Sequence, residues 1–123
     1  MRLAILTALV LTVVAPPAAA QTALDPAPTT WRGVAMGPEQ IFEGDYAIDE
    51  QTSAFKADGA AEADWLVGWE DRPGDNGGIT RHYHIRFIGR RSAQAGKYGS
   101  LGKYGHEVLI THLLSARVLI GRP

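Results

Sequence analysis

The sequence predicts an all-β fold in which five or six short strands form a small antiparallel barrel. In several short segments apolar and polar residues alternate with a period of two, and turn-forming residues separate these segments. Strands of this length and spacing are typical of small barrels and sandwiches. After residue 20, no stretch of ten or more residues shows the period of an amphipathic helix.

The first predicted strand follows a glycine- and proline-containing segment, residues 31–41. Within that segment Pro38 suits the first position of a single helical turn. Residues 42–49 then alternate as a strand with one buried face. The side chains predicted to face the core are those of Phe42, Gly44, Tyr46 and Ile48.

Two further strands are predicted before the middle of the chain. A short strand begins at Ser53, and a third covers residues 65–69, with Trp65, Val67 and Trp69 on one face. We interpret both tryptophans as core residues rather than as a platform for sugars. A small core without cysteine needs large rings, and each aromatic side chain buries ~150 to 250 Å².

The second half of the domain is predicted as two long strands joined by a loop. Residues 72–78 are dense in turn formers, and residues 81–91 form the clearest alternating strand. A glycine-rich loop over 92–105 leads to a last strand over 106–113, which residues 115–120 can continue after a bend.

The first 20 residues are typical of a secretory signal peptide. Arg2 precedes an apolar run over residues 3–14, and three alanines at 18–20 supply the small residues expected before a cleavage site. The apolar run is shorter than the ~20 residues that a membrane helix needs. We therefore predict a periplasmic or secreted protein without a membrane span. A disordered leader is expected over 21–30 and a single barrel domain over 31–123.

The sequence contains no cysteine. Disulfides, thiol nucleophiles and cysteine metal ligands are therefore excluded, and so is a lipid anchor on an N-terminal cysteine. A chain of this size can bury enough apolar surface to fold without cross-links. No cofactor is predicted.

Charges are separated along the chain. Residues 21–80 carry 12 acidic and 3 basic side chains, whereas residues 81–123 carry 8 basic side chains and one acidic residue, Glu107. One interpretation is a face that binds a polyanion. We favour the other, in which acidic and basic strands pair across the sheet, because one small domain must fold the two halves together.

The glycine-rich loop is the strongest candidate for a binding surface. It contains two copies of Gly-Lys-Tyr-Gly, at 96–99 and 102–105, and two arginines precede it. Cations beside flat rings bind phosphate or carboxylate groups and stack on bases or sugars. The alternative is that the glycines only allow tight bends and the tyrosines cover the end of the barrel. The candidate ligand-binding residues are Arg90, Arg91, Lys97, Tyr98, Lys103 and Tyr104.

Two histidines are candidates for a metal site. His82 and His84 lie two residues apart on a predicted strand, so their rings point to the same side. They can hold a zinc or copper ion together with His106 or a carboxylate. The alternative is that both are polar residues on the solvent face, where Arg81 and Arg86 would repel a cation.

The sequence names no catalytic nucleophile. It has neither the G-x-S-x-G turn of a hydrolase nor the H-E-x-x-H helix of a metalloprotease. An enzyme is therefore the interpretation with the least support.

Several stretches of the chain resemble a group of small exported bacterial proteins of unknown function. They are Gly44-x-Tyr46, the segment QTSAF at 51–55, Asp64-Trp65-Leu66 and the run YHIRFIGRRSAQAGKYGSLGKYGHEVLI at 83–110. The resemblance implies a compact barrel similar to an OB fold, and it implies no activity.

These observations predict a non-catalytic binding or structural module of the cell envelope. Its expected partner is an envelope polymer, such as an anionic polymer or glycan at the glycine-rich loop, or another envelope protein. A zinc- or copper-binding protein and an enzyme on a barrel scaffold are the alternatives.

Overall fold

The computed structural model of the protein describes residues 24–70 and 79–119. The predicted signal peptide and the predicted turn at 72–78 lie outside the described residues. The all-β prediction is confirmed, since a 3₁₀ turn at Ser100–Gly102 is the one helical element in the described part of the chain. The strands are β1 (Thr29–Trp31), β2 (Val34–Met36), β3 (Gln40–Ile48), β4 (Ser53–Ala57), β5 (Asp64–Val67), β6 (Arg81–Arg91) and β7 (Glu107–Val118).

Five of these strands form a closed barrel in the order β3–β4–β5–β7–β6, and β6 pairs with β3 to close it. The barrel confirms the predicted small, OB-fold-like architecture. Four of the pairings are antiparallel, whereas β5 and β7 are parallel, with Trp65 opposite Glu107. The barrel is thus mixed rather than purely antiparallel. A parallel pair needs a long crossover, and here that crossover includes all of β6.

The barrel core is aromatic. Tyr46, Phe55 and Phe87 are fully buried, and the Phe55 and Phe87 rings meet edge to face with centroids 5.0 Å apart. Phe42 stacks on Phe87 at 5.3 Å. The predicted inward face of β3 is therefore confirmed, because Phe42 and Tyr46 supply two of these rings.

The alternation of β6 ends at its second half, where residues 87–90 are all buried. Register shifts at Arg86/Phe87 and Ile88/Gly89 bend the strand, as β-bulges do. Gly89 is required there, because a Cβ would clash with the carbonyl of Leu109. The neighbouring strand β7, which pairs with β6, continues without interruption to Val118.

A short hairpin, β1–β2, joins the barrel next to this bend through a bridge between Met36 and Ser92. The predicted helical turn at Pro38 is wrong, because residues 37–39 form an irregular connection. The Gly37 amide donates to the Arg91 carbonyl at 2.9 Å, which ties this connection to the end of β6.

The segment before the hairpin is held against the barrel. Arg90 donates hydrogen bonds to the carbonyls of Ala27 and Gly37, at 2.7 and 2.9 Å, and to the carboxylate of Asp25 at 3.0 Å. The Glu39 amide donates to the Asp25 carbonyl at 2.9 Å. The prediction of a disordered leader up to residue 30 is therefore wrong for residues 24–30.

Acidic and basic strands pair across the barrel wall, as predicted. Glu43 and Asp45 on β3 lie opposite Arg86 and His84 on β6. The Arg86 Nε is 3.6 Å from Glu43, and His84 is 2.9 Å from Asp45. The separation of charge along the sequence thus reflects strand pairing and gives no support to a polyanion-binding face.

Candidate functional site

A cleft of about 610 Å³ opens beside β5, β7 and the β1–β2 hairpin. The chain has three tryptophans, Trp31, Trp65 and Trp69, and all three line this cleft. Arg32 and Glu70 add one charge of each sign. A concave surface that combines aromatic and aliphatic side chains with a few polar groups is typical of a small-ligand site, and the volume falls in the usual range of ~300 to 1,000 Å³.

The β1–β2 hairpin carries Trp31 and Arg32 to the cleft. Its two-residue turn places Arg32 at φ 49° and Gly33 at φ 82°. Such turns favour asparagine or glycine, and an arginine there costs about 1 kcal/mol. The Arg32 guanidinium lies 4.5 Å from the centroid of the Trp31 ring. This hairpin is not predicted from the sequence, because Arg-Gly lacks the Asn-Gly signature of a tight turn.

Trp65 links the cleft to the glycine-rich loop. It lies half-buried on the outer face of β5, while its neighbour Leu66 points into the barrel. The Tyr104 ring packs on Trp65 with centroids 5.2 Å apart. The interpretation of Trp65 as a core residue is therefore wrong, because the pairing of β5 directs Leu66 inward instead.

Trp69 closes the other end of the cleft. Gly68, at φ 87°, follows the end of β5 and breaks its alternation. The Trp69 ring then reaches Tyr46, with centroids 5.6 Å apart, and packs against the barrel core. The interpretation of Trp69 as a core residue is thus partly confirmed, although one side of its ring faces the cleft.

The glycine-rich loop is a small hairpin whose two Gly-Lys-Tyr-Gly copies pair with each other. Tyr98 and Tyr104 exchange backbone hydrogen bonds of 2.8 and 3.1 Å. Gly99, at φ 72°, lies against Trp65 so closely that a Cβ would clash with the indole. Both tyrosines are half-buried, and Lys97 and Lys103 are exposed.

The two arginines before the loop do not belong to a free binding surface. Arg90 is only 6% exposed and is used by the N-terminal segment, so its predicted role as a ligand contact is wrong. Arg91 is partly exposed and forms a two-bond ion pair with Asp64, at 2.8 and 3.2 Å. Of the six candidate residues, Lys97 and Lys103 are the cations that stay exposed on the loop without an ion pair among the described residues.

The structure places carboxylates of β3, and not His82, beside His84. The two histidines are about 6.6 Å apart along the strand, and the carboxylates of β3 lie closer to His84. Its Nδ1 is 2.9 Å from Asp45, its Nε2 is 2.9 Å from Glu43, and Asp58 lies at 4.0 Å. Hydrogen bonds to Asp45 and Glu43 raise the pKa of His84. Among the described residues, Glu43, Asp58 and His84 bring donor atoms within 4.8 Å of one another, and His82 is not part of this group.

Glu107 is a buried carboxyl that the sequence analysis did not single out. It is 9% exposed, and its Oε2 finds no hydrogen-bond partner among the described residues. Burial raises the pKa of Glu107, while the positive charge of Arg32 acts in the opposite direction. Because Glu107 lies opposite Trp65, this carboxyl sits on the same side of the sheet as the aromatic cleft.

A serine and a histidine meet at the base of the loop without forming a hydrolytic site. Ser92 Oγ and His106 Nδ1 are 3.0 Å apart, but Ser92 is buried and its Oγ also accepts the Glu107 amide hydrogen. A nucleophile must be open to substrate. Ser100 and Lys103 have the S-x-x-K spacing, but they lie on a 3₁₀ turn of the exposed loop.

The fold and the cleft define a small OB-fold-like barrel with an aromatic surface groove. Comparisons of the chain with protein families, with curated proteins and with solved structures find no match. Over residues 24–70 and 79–119, no helix has the length and apolar character needed to cross a membrane.

Proposed function

We propose that the protein is a non-catalytic binding module of the cell envelope and that the tryptophan cleft takes the sugar rings of an anionic glycan. The observation that carries this proposal is the convergence of all three tryptophans of the chain on one cleft. The core uses phenylalanine and tyrosine, so packing alone does not require the tryptophans to share one surface groove.

A sugar ring is the ligand that suits this surface. Trp31 and Trp65 line the cleft with flat apolar rings, and each indole also carries an N–H donor. Such side chains suit a partner that has one apolar face and hydrogen-bonding groups around its edge. A pyranose ring has this character, because its C–H groups form one face and its hydroxyls the rim. Glu70 can accept hydrogen bonds from such hydroxyls.

The cations beside the cleft favour an anionic sugar. Arg32 is held at the cleft in a left-handed turn, where glycine would be less strained. Lys97 and Lys103 are exposed on the loop that Tyr104 packs against Trp65. Guanidinium groups bind carboxylates in two-bond geometry, which suits an acidic sugar such as a uronic acid.

The expected location agrees with this ligand class. The N-terminal segment predicts export, and anionic glycans are abundant outside the cytoplasm. Under this proposal the ligand reaches the protein as a polymer, so several sugar units contact the cleft and the adjacent loop together.

The test is a titration of the protein with an acidic oligosaccharide and its neutral counterpart, followed by tryptophan fluorescence and amide NMR. We expect saturable binding of the acidic sugar that weakens with salt. Trp31→Ala should weaken binding at least about tenfold, since stacking on one ring is worth ~1 to 3 kcal/mol.

Leu101→Ala is the matched control, because Leu101 is an apolar side chain of the glycine-rich loop that is 89% exposed and does not line the cleft. Equal affinities of the Trp31 and Leu101 variants would refute the cleft as the binding site. Absence of saturable binding to either sugar would refute the glycan ligand.

A further inference from the structure

The outer wall of the barrel holds a second cluster that shares no residue with the cleft. Around the imidazole of His84 lie three carboxylates, those of Glu43, Asp45 and Asp58. One donor atom each from Glu43, Asp58 and His84 can be chosen so that all three lie within 4.8 Å of one another. Imidazole nitrogen and carboxylate oxygen are ordinary ligands of divalent transition metals.

The backbone of three neighbouring elements fixes these donors. Glu43 lies on β3 and His84 on β6, two strands paired in continuous register. Asp58 follows the end of β4, and its amide donates to the Glu43 carbonyl at 2.9 Å. The buried Gly44 between the acidic residues allows β3 and β4 to approach closely, because a Cβ there would clash with the Lys56 carbonyl. A rigid wall therefore presents the donors.

The two nitrogens of His84 have different tasks. Asp45 lies 2.9 Å from Nδ1, whereas Glu43 and Asp58 both lie on the side of Nε2. A carboxylate on the far nitrogen of a histidine is the usual arrangement that orients a metal-binding imidazole. Since Asp45 does not need to touch an ion at Nε2, it acts as a positioning residue.

Arg86 pairs with one carboxylate oxygen of Glu43, and the other oxygen points toward His84, where it can bind a metal ion. The Arg86 Nε is 3.6 Å from Glu43 Oε1, while Oε2 is the atom that faces His84 Nε2. Arg117 lies opposite His84 on β7 and Lys56 lies opposite Asp45 on β4. These cations offset part of the negative charge of the three carboxylates. The site therefore favours an ion that forms coordination bonds with the donor atoms over one that is held only by electrostatic attraction.

We propose that Glu43, Asp58 and His84 form a binding site for a divalent transition metal, with zinc as the best fit and Asp45 as the residue that positions the imidazole. Zinc bonds of about 2.1 Å in tetrahedral geometry place neighbouring donors about 3.4 Å apart. The present separations of 2.9 and 4.0 Å from His84 Nε2 bracket that value. Water fills the fourth position, so the site is open on one side.

The test is a zinc titration of the ¹⁵N-labelled protein, with the ring nitrogens of each histidine followed separately. We expect a saturable shift at His84 Nε2. Asp58→Asn should weaken zinc binding by about 10- to 100-fold, because it removes one ligand but leaves the two short hydrogen bonds of His84 intact. Asp45→Asn should also weaken binding, by about tenfold, without changing the number of bound ions.

Glu50→Gln is the matched control, since Glu50 is an exposed carboxylate outside the cluster. Equal zinc affinity for Asp58→Asn and Glu50→Gln would overturn the proposal. So would a shift confined to His82, His106 or His112, because it would place the ion elsewhere. The cleft is not involved, so failure of this site leaves the glycan proposal untouched.

Discussion

Replacement of Arg90 by alanine should detach the N-terminal segment from the barrel and destabilise the protein. The guanidinium is almost fully buried and donates to two carbonyls and one carboxylate. In Arg90→Ala the carbonyls of Ala27 and Gly37 lose their charged donor. The Asp25 carboxylate loses its partner as well.

The magnitude follows from these three bonds. A hydrogen bond to a charged group contributes about 1.5 to 3 kcal/mol, but the three share one side chain and are not additive. Because the segment can move into water once it is released, we expect a loss of about 3 to 5 kcal/mol in the free energy of unfolding. For a domain of this size that corresponds to roughly 12 to 30 °C in Tm.

Urea and thermal unfolding measure this loss directly, and the adjacent arginine provides the control. Arg91 is 46% exposed and has one carboxylate partner, so Arg91→Ala should cost only ~0 to 1 kcal/mol. If Arg90→Ala does not fold, Arg90→Lys keeps the charge but not the planar fork and should show about half the effect. Similar unfolding energies for Arg90→Lys, Arg91→Ala and the unmodified protein would refute the anchoring role.

Two further predictions concern the loop and the buried carboxyl. Gly99→Ala should lower the free energy of unfolding by about 2 to 4 kcal/mol, because it combines a left-handed backbone with a clash against Trp65. Gly33→Ala has a similar φ but open space, so urea unfolding should show only about 1 kcal/mol, and equal losses would contradict the contact with Trp65. The raised pKa of Glu107 means that the folded state binds its proton more tightly than the unfolded state. Its contribution therefore favours folding below the ordinary carboxyl pKa of 4.5 and is lost as the pH rises through the raised folded pKa. Glu107→Gln should remove the decrease in unfolding free energy that occurs as the pH rises from about 4.5 through the raised pKa of Glu107. A variant whose unfolding free energy depends on pH as that of the unmodified protein does would contradict this prediction.

The barrel strands could be predicted because their patterns agree with their tertiary surroundings. On β3 and β6 the alternation of apolar and polar residues places Tyr46 and Phe87 inside the barrel, where they are fully buried. The alternation of apolar and polar residues does not predict which side chains are buried where both faces of a strand are covered. Residues 87–90 are all buried, and Arg90, which was predicted to bind a ligand, instead bonds carbonyls more than 50 positions away in the chain.

The cleft could not be predicted because its parts come together only through the barrel. Trp31 is 34 residues from Trp65 in the sequence, and the hairpin that carries it lacks the usual turn signature. The group of possible metal ligands could be predicted only in part. His84 was identified, but His82 was chosen as its partner because strand neighbours are the only ones that spacing reveals. Glu43 and Asp58 enter through strand register, which a single sequence does not specify.

The position of Arg90 connects the stability of the fold to the shape of the cleft. The Arg90 side chain bonds the chain on both sides of the β1–β2 hairpin, at Ala27 and at Gly37. The hairpin between those two points presents Trp31 and Arg32, and its other attachment to the barrel wall includes the bridge from Met36 to Ser92. A buried arginine therefore helps to hold the hairpin that carries Trp31 against the barrel. Arg90 therefore belongs to the framework that holds the hairpin, and under the proposed function the cations available to an acidic sugar are the exposed ones, Arg32 and the two loop lysines.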